Sequence, residues 1–232
     1  MIYDIRKLNR WQAFGLHLLA SFIIFIALYL IITKIWYPGV FIHMGGWQGI
    51  KLIAGVDLVL GPLLTLIIFN PLKKSLKLDL SIIWFLQVAC LSAGLWALES
   101  QRPLVQVLID DSLKIITKSE FKEANKSINF LNKLKGPFPK YVMLDLPSDH
   151  TKIAISLVSG EVTGNPLPMK SELYIDIRTI TTPNEQSRYQ WLTDRLTPDE
   201  KNNCYWLPAL AIHYTGETCI NAAGALTIKT DK

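Results

Sequence analysis

Metal-binding and nucleophile chemistry have little to draw on in this chain. Its 232 residues include 3 cysteines and 4 histidines, scattered without a CxxC or HxxxH spacing, so a zinc site has no ligand set. GxSxG, GxGxxG and the P-loop are absent, and no serine stands in a recognisable arrangement with a histidine and an acid. No catalytic set is visible, and no cofactor or metal is expected. Charge is sparse as well, at 19% of residues. Residues 1–98 hold eight basic side chains against three acidic ones, which accounts for the whole net charge of +5, whereas residues 99–232 balance at sixteen each. A groove that follows phosphates needs clustered cations. The second part has none to spare, and nucleic acid is not expected as a partner.

Long apolar runs are what the chain does have. Half of its residues are hydrophobic and the mean hydropathy is +0.26, with nearly all the apolar runs falling before Leu98. That break divides a three-span membrane region, 1–98, from a C-terminal α+β domain, 99–232. The first span is expected at about 14–33, long enough to cross a roughly 30 Å hydrocarbon core at about 1.5 Å per residue. It follows Arg6, Lys7 and Arg10 but is longer than a signal-peptide core and lacks small residues for cleavage, so it reads as an anchor. The second and third spans are expected at about 49–69 and 80–98. Trp11, Trp36, Tyr37, Trp47, Trp84 and Trp96 fall at or near their ends, where amphipathic rings meet headgroups.

Span two is the marginal one, because "GVDLVLGPLLTLIIFNP" carries Asp57 and Pro62. Its Leu, Ile, Val and Phe side chains contribute about −5 kcal/mol, against roughly +3 for a central Asp and a further penalty for Gly and Pro, so it should still insert. Lys73, Lys74 and Lys77 between spans two and three, together with the basic N-terminus, belong in the cytoplasm by the positive-inside bias. Three crossings then put the C-terminal domain outside, in the periplasm of a bacterium. In that oxidising compartment Cys204 and Cys219 are expected to pair, the alternative being two free thiols, while Cys90 reads as a packing residue.

Ala54, Asp57, Gly61 and Thr65 share one face of the second span at i, i+3, i+4 spacing, a small and polar stripe on an apolar helix. Pro62 removes a backbone donor and frees a carbonyl beside Asp57. By depth, Gln87 and Ser92 in span three lie within about 3 to 5 Å of the same level. Two roles fit these seven residues. They can clamp the three spans together, or they can receive another protein's transmembrane helix. His17, near the inner end of span one, reads as a snorkelling or packing residue.

In the second part, β-type runs are expected at 105–109, 113–117, 141–144, 152–157, 172–177, 207–213 and 225–229, with helices at about 119–134 and 183–196. Asp110 and Asp111 read as a solvated turn, and His150 and His213 as lone histidines. "RYQWL" and "CYWLP" suit protein contact and core packing equally.

Taken together, "RWQAFGLHLLAS", "WYPG", "GGWQ", "AGVDLVLGPLLTLIIFNPLKKSLKLDL", "FLQVACL" and "QRPLVQV" resemble the type IV pilin accessory proteins of the TfpX/TfpZ group over about residues 10–110. Near the end, "NAAGAL" is similar to that family's closing segment. The resemblance implies a bacterial inner-membrane protein associated with a type IV pilin and with other pilus assembly proteins, influencing pilin stability, assembly or pilus dynamics without catalysis. A membrane-tethered pilin-modifying enzyme and an inward-signalling sensor are the alternatives. The missing catalytic set counts against the first and the short cytoplasmic loops against the second.

Overall fold

A computed structural model describes residues 8–109, 111–145, 166–180, 196–221 and 224–228, together with positions 158, 186–187, 189–190 and 193–194. The chain divides into two units, one comprising Met1–Ile35 and Gly46–Glu99, the other Trp36–Gly45 and Ser100–Lys232.

The first unit is helical. Helix α1 (Arg10–Ile31) opens on a capping box in which the Asn9 side chain takes the backbone N–H of Gln12 and the Gln12 side chain returns to Asn9, satisfying two donors that the helix leaves free. A π-helical turn, Ile32–Trp36, extends it. The next segment is continuous over Gly46–Ile68, built from α2 (Gly46–Ala54), a π-helical turn (Gly55–Leu60) and α3 (Gly61–Ile68). Helix α4 runs Leu76–Ser100. Among the described residues, these three helices, of 27, 23 and 25 residues, are long and apolar enough to cross a membrane. The first and third begin four residues earlier than the hydropathy pattern indicates, because the polar residues that flank the apolar runs also form helix. Phe69 and Leu76, at the ends of the loop joining the last two helices, are buried with Ala13. Lys73 of that loop pairs with Asp79 in the first turn of α4 at 2.5 Å.

The second unit is built on a mixed eight-stranded sheet. Its strands are β1 (Pro103–Ile109), β2 (Ser112–Thr117), β3 (Lys140–Leu144), β4 (Tyr174–Asp176), β5 (Thr197–Asp199), β6 (Cys204–Ala211), β7 (Tyr214–Asn221) and β8 (Gly224–Ile228). The order across the sheet is β4-β3-β1-β2-β6-β7-β8, with β5 also paired to β6. β1 runs parallel to β3, and β2 parallel to β6; the other neighbours are antiparallel. β1 is buried at all seven positions, as a central strand covered on both faces should be. Val105, Val107 and Ile109 from it pack with Phe121, Leu131, Val142 and Leu144.

Several sequence expectations change here. The helix expected over 119–134 stops early. α5 spans Lys118–Glu123, opened by a Thr117–Glu120 capping box, and Asn125 then adopts φ 52°, a left-handed residue that terminates a helix. A separate 3-10 turn, Asn129–Lys133, brings Leu131 into the core. Phe121, Ala124, Ile128 and Leu131, at helical spacing in the sequence, thus all reach the core, the first and last buried and the other two partly so, without one continuous helix. Strand character in 172–177 is confined to β4, with 3-10 turns on either side. β5 and β7 were not anticipated, and His213 lies in the turn between β6 and β7 rather than in a strand. The strand expected at 152–157, His150, Asp110 and Lys229 lie outside the described residues, as does part of the helix expected at 183–196, of which positions 186–187, 189–190 and 193 are helical.

Loop 36–45 belongs with the sheet unit. Tyr37, Phe41 and Met44 are buried, and a glycine is required at 45, where φ is +121° and a Cβ would lie 2.9 Å from the His213 ring.

Candidate functional site: a buried polar cluster among the helices

Pro62 shapes the site. It has no N–H to donate, and its ring crowds the carbonyl one turn back, so the preceding turn widens. The Gly61 N–H reaches Val56 O, an i→i−5 bond. This π-turn sets the direction of Asp57, which is 4% exposed. Gly61 then lets α4 come close, since a Cβ there would lie 1.8 Å from Gln87 Nε2. In that space Gln87 Nε2 donates to Asp57 Oδ1 at 3.5 Å. Asp57 Oδ2 is buried and has no hydrogen-bond partner among the described residues. A second glycine works the same way, with Gly49 accommodating the Leu98 side chain.

Helix α1 joins through His17. The Thr65 hydroxyl donates to Gly61 O at 3.1 Å, and its oxygen lies 2.6 Å from His17 Nδ1. A hydroxyl has one proton. With that proton on Gly61 O, Thr65 can only accept from the ring, so Nδ1 carries the hydrogen of this bond. Beside this pair lies a largely apolar groove of about 290 Å³, lined in part by Leu16, Phe69, Leu80, Ile83 and Trp84.

Asp57, Gly61, Pro62, Thr65 and Gln87 are all buried, Ala54 is half-buried and Ser92 is exposed. The face that the sequence marked is thus turned toward the chain's own helices. Of the two partners offered to Asp57, Gln87 is in reach and Ser92 points away. His17, read from sequence as snorkelling or packing, makes a specific bond. Depth could have found it, because His17 and Thr65 each lie three or four residues inside the same end of their expected spans.

In the sheet unit, Cys204 and Cys219 are joined by a disulfide between β6 and β7. Asp199 lies near both sulfurs, but sulfurs tied in a disulfide are not thiolate ligands, so this grouping does not suit a metal. Asp199 Oδ2 instead accepts from Asn202 Nδ2 at 2.9 Å and Trp206 Nε1 at 3.0 Å. The bonds from Asn202 and then Trp206 hold its carboxyl below the usual carboxylate range. Trp206 of "CYWLP" is therefore pinned within the fold. Across the sheet, the buried Lys140 ammonium caps Leu134 O and Gly136 O, while Asp176 takes the Lys135 N–H. Those contacts close a loop rather than build a reaction centre.

No family model matches the chain and no solved structure does. Over 109 residues, 46% of its length, the chain is 35% identical to the fimbrial assembly protein of serogroups C1 and C2 of Dichelobacter nodosus, and the match covers 83% of that protein. The chain belongs to the fimbrial assembly protein family. Two other fimbrial assembly proteins of the same organism, those of serogroup E1 and serogroup I, are 37% and 33% identical over 109 residues. The match covers 42% of each, so the chain spans less than half the length of these two relatives.

Proposed function

We propose that this chain is a bacterial inner-membrane accessory protein of type IV fimbrial assembly, which binds a pilin subunit and steers its stability or assembly without catalysis. The observation that carries the reading is the family membership, joined to three membrane-length helices clasped by a buried polar cluster. A pilin awaiting assembly shares the bilayer through one apolar helix and presents a globular head outside. Asp57, Gly61, Pro62, Thr65 and Gln87 are buried and set the spacing of the bundle, while Ala54 is half-buried and Ser92 exposed, and the pilin helix packs against the surface that Ser92 marks. The sheet unit meets the head. Other pilus assembly proteins are reached through the same bound pilin.

Two features support the orientation. Arg10, Lys74 and Lys77 lie at one set of helix ends, the set that the positive-inside bias keeps in the cytoplasm. Loop 36–45, at the opposite ends, belongs to the same unit as residues 100–232, which is what an odd number of crossings requires. Photo-crosslinking in living cells tests the binding. A crosslinker at Ser92 and another in the sheet unit should each capture pilin; capture of no pilin from either position rejects the proposal.

A further inference from the structure

We propose that the tip of the β6–β7 hairpin is a membrane-surface contact, with Leu210 and Ile212 resting in the interfacial region of the outer leaflet. The proposal rests on the reading that the three long helices cross the bilayer. Three observations lead to it.

First, the outward face of β6 is apolar where it should be polar. Leu207 and Ala209 point inward and are buried, while Pro208 and Leu210 alternate with them and are exposed. Ile212 continues the outward set into the turn at 47% exposure. A strand with one solvated face carries polar side chains on that face.

Second, these side chains are exceptional within their unit. The sheet unit covers its large hydrophobic side chains, and among its described residues Val158, Leu210 and Ile212 alone stay exposed. Two of the three sit together at one hairpin tip.

Third, covalent connection fixes where that tip can be. His213 packs against Gly45 and is hydrogen-bonded to Gln101. Gly45 is one peptide bond from Gly46, where the second long helix begins, and Gln101 is one from Ser100, where the third ends. The hairpin tip is thereby tethered at two membrane-entry points, whatever the arrangement of the two units. Apolar side chains at that level meet the headgroup and upper acyl region, not bulk water. The opposite end of β6 lies eight residues away, roughly 26 Å along the strand, and carries no such tether.

An environment-sensitive fluorophore on single cysteines, in the full chain reconstituted into phosphatidylglycerol–phosphatidylethanolamine vesicles, tests this. Three labelled positions are needed. The native Cys90, exposed on α4, reports whether the helices enter the bilayer. Ile212→Cys in a Cys90→Ala background reports the hairpin tip, with Leu210→Cys as a second probe should the first distort the turn. Lys201→Cys in the same background reports the far end of β6. The proposal expects the 212 and 210 labels to emit to the blue of the 201 label and to be quenched by lipids carrying a nitroxide near the headgroup. If Cys90 is quenched by chain-labelled lipids while 212 and 210 behave like 201, the hairpin contact is wrong and the membrane reading stands. If Cys90 also behaves like 201, the membrane reading fails and the contact with it.

Discussion

Adding one methyl group at Gly61 separates packing from propensity. Helix propensity alone makes Gly61→Ala stabilising by about 1 kcal/mol. The bundle geometry reverses the sign. The new Cβ would lie 1.8 Å from Gln87 Nε2 and 2.5 Å from its Cδ, so the amide must leave. Overpacking costs about 1–3 kcal/mol, and loss of the Gln87–Asp57 bond adds about 1 kcal/mol, the usual scale for a side-chain hydrogen bond between membrane helices. The net expectation is destabilisation by about 2 kcal/mol. Gln87→Ala alone loses the bond but opens the space, costing about 1 kcal/mol. In the double variant no amide remains to collide, so Gly61→Ala should be neutral to slightly favourable there, and the two changes should couple by about 2 kcal/mol. Denaturant-induced unfolding in mild detergent micelles measures all four corners of the cycle. A stabilising Gly61→Ala, or costs that simply add, would refute the close approach of α4 to Gly61.

Thr65→Val removes the bridge between His17 and Gly61 and should cost about 1–2 kcal/mol in the same assay, with Thr65→Ser retaining most of the stability. Gly49→Ala should destabilise because its Cβ would lie 2.2 Å from Leu98 Cδ2, and Leu98→Ala should relieve it in the double variant. Replacing Cys204 and Cys219 with alanine opens a loop closed across 15 positions and should cost the sheet unit about 3 kcal/mol, read as a lowered Tm of the wild type under reductant as well. Asp199 has its carboxyl lowered in the folded chain by bonds from Asn202 and Trp206. Its contribution is therefore complete above the ordinary carboxylate range and is lost as pH falls through the lowered folded value. Asp199→Asn should flatten the acid side of the stability profile, and an unchanged profile would remove Asp199 from it.

The helices were more legible than the sheet, and the reason is physical. Three apolar runs of membrane length announce themselves through composition alone, and depth arithmetic brought Gln87 to the level of Asp57. What composition cannot display is a change of winding. The π-turn at Gly55–Leu60 follows from Pro62 acting on the turn before it, and it determines that the Asp57 face turns inward. In the sheet unit, β7 was missed because Gly216 and the threonine-rich "YTGETCIN" lack the alternating apolar signal, and its pairing with β6 supplies what its own sequence does not. Likewise the 119–134 stretch has helical spacing at Phe121, Ile128 and Leu131, but Asn125 breaks it. Single residues with backbone consequences decided both departures.

The proposed function requires the three helices to cross the bilayer and deliver the sheet unit to the exterior. Fusing alkaline phosphatase and, separately, green fluorescent protein to the C-terminus of the full chain in a bacterial host measures this directly. An active phosphatase and a dark fluorescent protein are the expected result; a bright fluorescent protein with an inactive phosphatase would place the sheet unit in the cytoplasm and overturn the proposed function.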